Sequence, residues 1–78
     1  MNAIDLFAGC GGLSKGFMDV GFNIIVGVDN DQAALNTFKL NHMGAEALNA
    51  DLSQQETFDE IKRIAGTRTI DVIIAGPP

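Results

Sequence analysis

The sequence predicts an α/β domain: the first half of a doubly wound parallel sheet, β-α-β-α-β-α-β, with strand order 3-2-1-4. Three observations carry this. Short apolar runs alternate with segments of helical spacing. The first run feeds directly into "AGCGGLSKG", with Gly9, Gly11, Gly12 and Gly16 in close succession. An acidic residue, Asp29, ends the second run 20 residues after Gly9. Strands separated by helices pair in parallel through right-handed crossovers. Such a sheet binds ligands at the carboxyl ends of its strands, near the switch between strands 1 and 4.

Ala3–Phe7 is predicted as strand 1, apolar except for Asp5 and closed by Gly9. Leu13–Val20 is predicted as a helix on the spacing of Leu13, Phe17 and Val20, with Gly21 just past its end. Asn23–Val28 is strand 2, centred on Ile24-Ile25-Val26. Asn30 or Asp31 can cap a second helix reaching about Asn41, with Ala34, Leu35 and Phe38 inward and Gly44 as its stop. Ala45–Asn49 is a weaker third strand. Ser53-Gln54-Gln55-Glu56 fits a capping box for a third helix with Phe58, Ile61, Ile64 and Ala65 on one face and Gly66 after it. Asp71–Ala75, with its Val-Ile-Ile centre, is expected as a fourth strand buried on both faces.

A chain of 78 residues holds at most one domain, and one this small is marginal. The net charge of −5, with Lys15, Lys39, Lys62, Arg63 and Arg68 mostly scattered, argues against this chain gripping nucleic acid by itself. The single cysteine, Cys10, excludes an internal disulfide and fits a reducing, cytoplasmic setting. No signal peptide is visible, since Asp5 interrupts the first apolar stretch, and no apolar run approaches the ~20 residues of a membrane span. The strand-like "DVIIAGPP" at the end is read as the cut edge of a longer domain.

The glycine turn brings backbone close to a ligand, and its spacing excludes one ligand class. From Gly11, four residues lead to Gly16, but a Walker phosphate loop needs lysine next, and Phe17 stands there. The dinucleotide fingerprint has its first two glycines in Gly9 and Gly11, yet Ser14 occupies the third position. Asp29 is in place to accept ribose hydroxyls. Close backbone approach plus a ribose acceptor, without the full pyrophosphate signature, suits S-adenosyl-L-methionine, which has an adenosine, a sulfonium and no phosphate.

"DLFAGCGGLSKGF", "VDNDQAALNTFKLNH", "ADL" and "DVIIAGPP" resemble, in order and spacing, the first four motif blocks of the cytosine-5 DNA methyltransferases. The resemblance covers nearly the whole chain, and the Asp-Leu-Phe-Ala-Gly-x-Gly-Gly block is highly specific. It implies the Rossmann-like methyltransferase fold, here only its amino-terminal part. It implies that Phe7, Gly9 and Gly11, completed by Ala8, Cys10 and Gly12, form the turn beneath the methionine part of the cofactor. Asp29 matches the acid on the ribose. Asn30 matches a position beside adenine that the family commonly fills with an apolar or aromatic residue, so asparagine is a departure. Asp51 matches the acid accepting from the adenine amino group, with Leu52 beside it. Gly76-Pro77-Pro78 match the start of the Pro-Cys-Gln loop, Pro78 being counted with the cofactor site.

The family's nucleophilic cysteine would follow Pro78. Its thiolate adds to carbon 6 of cytosine, which makes carbon 5 reactive towards the sulfonium methyl. The target base is first flipped out of the duplex. The resemblance therefore implies a restriction-modification DNA methyltransferase acting on double-stranded DNA. The 78 residues themselves, without nucleophile or DNA reader, are expected to be inactive. Three other readings stand beside it: a transfer-RNA methyltransferase of the same family, a non-catalytic subunit giving a cofactor half-site to a partner chain, and a plain NAD-binding module. The strand 4 edge is expected to pair with a second copy, a separate chain or the rest of a parent protein.

The remaining polar residues receive structural expectations. Cys10 is a small loop residue with no activating partner nearby in sequence. His42 is expected on a helix surface. Asp5 is expected to hydrogen-bond the glycine loop or a neighbouring turn, and Asp31 to serve as a helix N-terminal charge. Asp19, Asp59 and Glu60 belong to solvated helix faces, and the Phe58/Ile61/Ile64 stripe to the core.

Overall fold

The computed structural model describes residues 1–75; Gly76, Pro77 and Pro78, the last of them counted with the expected cofactor site, lie outside the described residues. The elements run β1 (Asn2–Leu6), α1 (Gly12–Asp19), β2 (Asn23–Asp29), α2 (Gln32–Asn41), β3 (Glu46–Asn49), α3 (Gln55–Ala65) and β4 (Val72–Ala75). The four strands form one sheet in the order β3-β2-β1-β4, every neighbouring pair parallel, as the sequence predicts.

Two apolar layers sandwich the sheet. On one face, Ala3, Ile24 and Ile74 pack with Phe38 of α2 and with Phe17 and Met18 of α1. On the other, Ile4, Ile25, Val26 and Val28 pack with Ile61 and Ile64 of α3. A bulge sets this division. Ala3 pairs with Ile24 but Ile4 pairs with Val26, so β2 carries one extra residue, Ile25. Both Ile25 and Val26 then join the α3 side, and Gly27 falls on the α2 side. A Cβ on Gly27 would run into the Phe38 ring, so the glycine lets the fully buried ring lie against β2.

The helix starts follow local chemistry. Asp31 caps α2, its Oδ1 accepting from the N–H groups of Ala33 (3.1 Å) and Ala34 (3.3 Å). The expected Ser53 capping box does not form. Gln54 is the N-cap of α3 without a side-chain bond, and Asp51 organises the approach instead. Its Oδ1 accepts from Ser53 N–H at 2.8 Å, and its carbonyl accepts from Gln54 N–H at 3.1 Å and from the Thr57 hydroxyl.

Three expectations about burial are corrected. In α1 the buried residue is Ser14, with Phe17 and Met18 half-buried, while Leu13 and Val20 are exposed. The inward face is Ser14–Phe17–Met18, set by the close seating of α1 under the glycine turn. Phe58 is exposed, because the inward stripe of α3 runs through Thr57, Ile61 and Ala65. β4 is buried on one face only: Ile74 is covered, but Ile73 is 63% exposed, because α3 covers the sheet chiefly over β2 and β1. Asp71, expected within strand 4, precedes it; its N–H donates to Asn2 O and its Oδ2 accepts from Asn2 N–H.

Candidate functional site

β1 ends at Leu6, and the chain turns sharply at its carboxyl end. Phe7 has φ 60°, Gly9 φ 56° and Gly11 φ 93°. The left-handed region suits glycine, but for a bulky residue such as phenylalanine it is a genuine outlier, of the kind that clusters at functional sites. Hydrogen bonds hold the turn in that shape. Ala8, buried, donates its N–H to Val28 O at 2.8 Å, and Gly11 N–H donates back to Ala8 O at 3.0 Å. Gly11 then serves as the N-cap of α1. Phe7, Cys10 and Gly12 are exposed along the outer side of the turn. A Cβ placed on Gly9 or Gly12 meets no atom within 4 Å, so open space lies against both backbones.

Asp29, the last residue of β2, meets this turn directly. Its Oδ2 accepts from Gly9 N–H at 2.9 Å and its Oδ1 from Asp31 N–H at 3.0 Å. Its carbonyl accepts from Ala50 N–H at 3.0 Å, which joins the ends of β2 and β3. The carboxylate thus braces the glycine turn and still has lone pairs free for further donors. Asn30, next in the chain, is exposed. Asp51 follows β3 and is also exposed; the Ser53 backbone N–H and side chain hold its carboxyl below the usual carboxylate range. Leu52 is half-buried against the α3-side core, anchoring the loop that carries Asp51. Gly9 and Asp29 are therefore in direct contact, and Asp51 stands at the end of the adjacent strand with its hydrogen bonds inside its own turn.

Beneath the turn lies a buried polar group. His42, expected on a helix surface, is 2% exposed, because the inner face of α2 continues through Leu35, Phe38 and His42. Its ring packs on Phe38, centroids 4.5 Å apart, and its Nε2 lies 3.1 Å from both Gly11 O and Ser14 Oγ. Asp5 is buried on β1 below the same turn, and burial pushes its carboxyl above the ordinary aspartate value. The Ser14 hydroxyl and the nearby His42 oppose that rise, and Asp29 adds to it. In the sequence Ser14 stands out only as the residue in place of the third fingerprint glycine, and Asn41 only as the end of the second helix. The signal for His42 was its spacing of four from Phe38, which places both on one helix face.

Among the described residues no helix is long and apolar enough to cross a membrane. The family model for C-5 cytosine-specific DNA methylases matches residues 1–78. The chain is 45% identical to the type II methyltransferase M.HgiDI of Herpetosiphon aurantiacus, over all of its own length and 24% of that protein's. It is 42% identical to M.HgiGI of the same organism, over all of its length and 59% of that protein's. A solved structure of a candidate DNA modification methyltransferase encoded within an Escherichia coli prophage superposes with TM-score 0.84 at 38% identity, covering 100% of this chain and 22% of that one. The chain thus spans between about a quarter and three-fifths of the curated relatives named here. With sheet order, glycine turn and full-length match in agreement, the chain belongs to the C-5 cytosine-specific DNA methylase family.

Proposed function

We propose that the chain forms the S-adenosyl-L-methionine-binding part of a cytosine-5 DNA methyltransferase that works in the cytoplasm on double-stranded DNA. The observation that carries this reading is the contact between Gly9 N–H and Asp29 Oδ2, which locks the glycine turn against the acid at the end of the neighbouring strand. The residues fit the cofactor. The open space against Gly9 and Gly12 admits its methionine part beside the Phe7–Gly12 backbone. The free lone pairs of Asp29 suit ribose hydroxyls, and Asp51, kept ionised and exposed, suits the adenine amino group. Asn30 lies at the adenine side, with Leu52 securing the Asp51 loop.

When bound, the cofactor supplies an electrophilic methyl group on a sulfonium. This chain's residues bind and orient it. With a net charge of −5 the chain does not itself grip the duplex, so the DNA contacts are assigned to the remainder of the enzyme. The open edge of β4, with Ile73 exposed, is covered by a further strand from the rest of the enzyme or from another chain.

The test is transfer of labelled methyl from S-adenosyl-L-methionine by the full-length gene product to duplex DNA and to transfer RNA in parallel. Label at carbon 5 of DNA cytosine supports the reading. Label in transfer RNA alone, or in neither substrate, overturns it.

A further inference from the structure

The glycine turn is held by the end of β2 and by the carboxyl end of α2. Asp29, the last residue of β2, accepts from the N–H of Gly9. At the carboxyl end of α2, Asn41 Nδ2 donates to Cys10 O at 3.3 Å, and the ring of the C-cap His42 places Nε2 3.1 Å from Gly11 O. Three successive residues of the turn are thus held, the first through its donor by β2 and the next two through their acceptors by the end of α2. A carbonyl oxygen only accepts, so a bond from the His42 ring to Gly11 O requires the ring proton on Nε2. Ser14 completes the arrangement, its hydroxyl donating to the same Gly11 O at 3.2 Å and lying 3.1 Å from Nε2. The fit is close. A Cβ on Gly11 would stand 2.6 Å from His42 Nε2 and 2.9 Å from Phe38 Cδ2. The His42 ring makes no other hydrogen bond among the described residues: its Nδ1 is buried without a partner.

We infer that His42 and Asn41 are positioning residues for the cofactor turn, fixing the Cys10 and Gly11 carbonyls so that the backbone of residues 9–12 keeps the shape that receives S-adenosyl-L-methionine. This rests on the cofactor reading above. The two residues touch the turn from beneath and do not touch the ligand. They act by pre-organisation: a turn already held in its binding shape loses less freedom when the ligand arrives.

The test uses the full-length protein with His42→Phe, His42→Gln and Asn41→Ala. Phenylalanine keeps an aromatic ring but has no donor. Glutamine returns an N–H donor close to the Nε2 position. Asn41 is exposed, so its alanine variant folds even if His42→Phe does not. Removal of one such bond is expected to weaken S-adenosyl-L-methionine binding about tenfold in His42→Phe and somewhat less in Asn41→Ala. His42→Gln should restore most of the affinity, and the KM for the cofactor should rise with kcat largely kept. Nitrogen-15 spectra of the imidazole, taken without cofactor, should show Nε2 protonated and Nδ1 bare. A wild-type protein that binds no S-adenosyl-L-methionine overturns the cofactor reading, and the imidazole spectrum still decides whether the clamp exists. A wild type that binds, with Asn41→Ala and His42→Phe binding equally well, or a ring protonated on Nδ1 alone, overturns the inference.

Discussion

Replacing Asp29 separates the bracing of the turn, which its bond to Gly9 shows, from the proposed reception of a ligand. Its carboxylate accepts two N–H bonds, from Gly9 at 2.9 Å and Asp31 at 3.0 Å. Bonds to charged acceptors contribute about 1.5–3 kcal/mol each when the donor has no substitute. The Asp31 N–H is at the surface, where water replaces the lost acceptor, so its share is small. The Gly9 bond is part-buried, and Asp29→Ala leaves that donor without its partner. The expected loss is about 1–3 kcal/mol, read as a lowered midpoint of thermal unfolding. Asp29→Asn keeps one oxygen for Gly9 but sets an amide N–H₂ against the Asp31 N–H. It should recover most of the stability and little of the cofactor affinity, which falls by about 1–3 kcal/mol in both variants. Calorimetric unfolding, amide exchange at Gly9 and isothermal titration with S-adenosyl-L-methionine measure the three quantities. An Asp29→Ala protein with unchanged midpoint and an equally protected Gly9 amide would refute the bracing argument.

Other perturbations read other parts of the structure. Gly27→Ala drives a Cβ into the Phe38 ring and should cost about 1–3 kcal/mol in urea unfolding, with Phe38→Leu in the same chain returning part of it; additive losses would show that the two do not touch. Gly11→Ala combines a left-handed φ of 93° with contact against His42 and Phe38, so it should destabilise more than Gly9→Ala, whose Cβ enters open space; equal losses by thermal denaturation would contradict the packing under Gly11. Burial raises the Asp5 carboxyl above its ordinary value, so the folded state holds that proton more tightly than the unfolded chain. The stability this contributes is complete below about pH 3.9 and is lost as pH rises through the folded-state value. Asp5→Asn should therefore gain on the wild type as pH rises above about 4, and parallel stability curves for the two proteins would exclude the buried acid.

Element order and sheet order were legible in the sequence, because strand and helix periods alternate cleanly and glycines punctuate them. Asp29 and the turn were legible because spacing along one chain set them at neighbouring strand ends. The misjudged residues depend on contacts remote in sequence. His42 is buried by a glycine turn 31 residues away, whose missing side chains make room for the ring. Leu13 and Val20 satisfy helical spacing, yet the face of α1 that meets the sheet is chosen by Ser14 fitting beneath Gly11. Ser53 has the composition of a cap, but Asp51 two residues earlier takes its N–H and moves the helix start to Gln55. Ile73 reads as a buried strand residue because its apolar neighbours alternate onto both faces, and only the span of α3 determines that its own face stays open.

Under the proposed function, S-adenosyl-L-methionine binds where the glycine turn meets Asp29, and titration of the nitrogen-15-labelled protein with the cofactor reads that site residue by residue. Saturable shifts should concentrate on the amides of residues 7–12, 29–31 and 51–52, at the carboxyl ends of β1, β2 and β3. Shifts absent at saturating cofactor, or confined to the cleft at the opposite end of the sheet lined by Met18, Phe22, Asn23 and Met43, would contradict it.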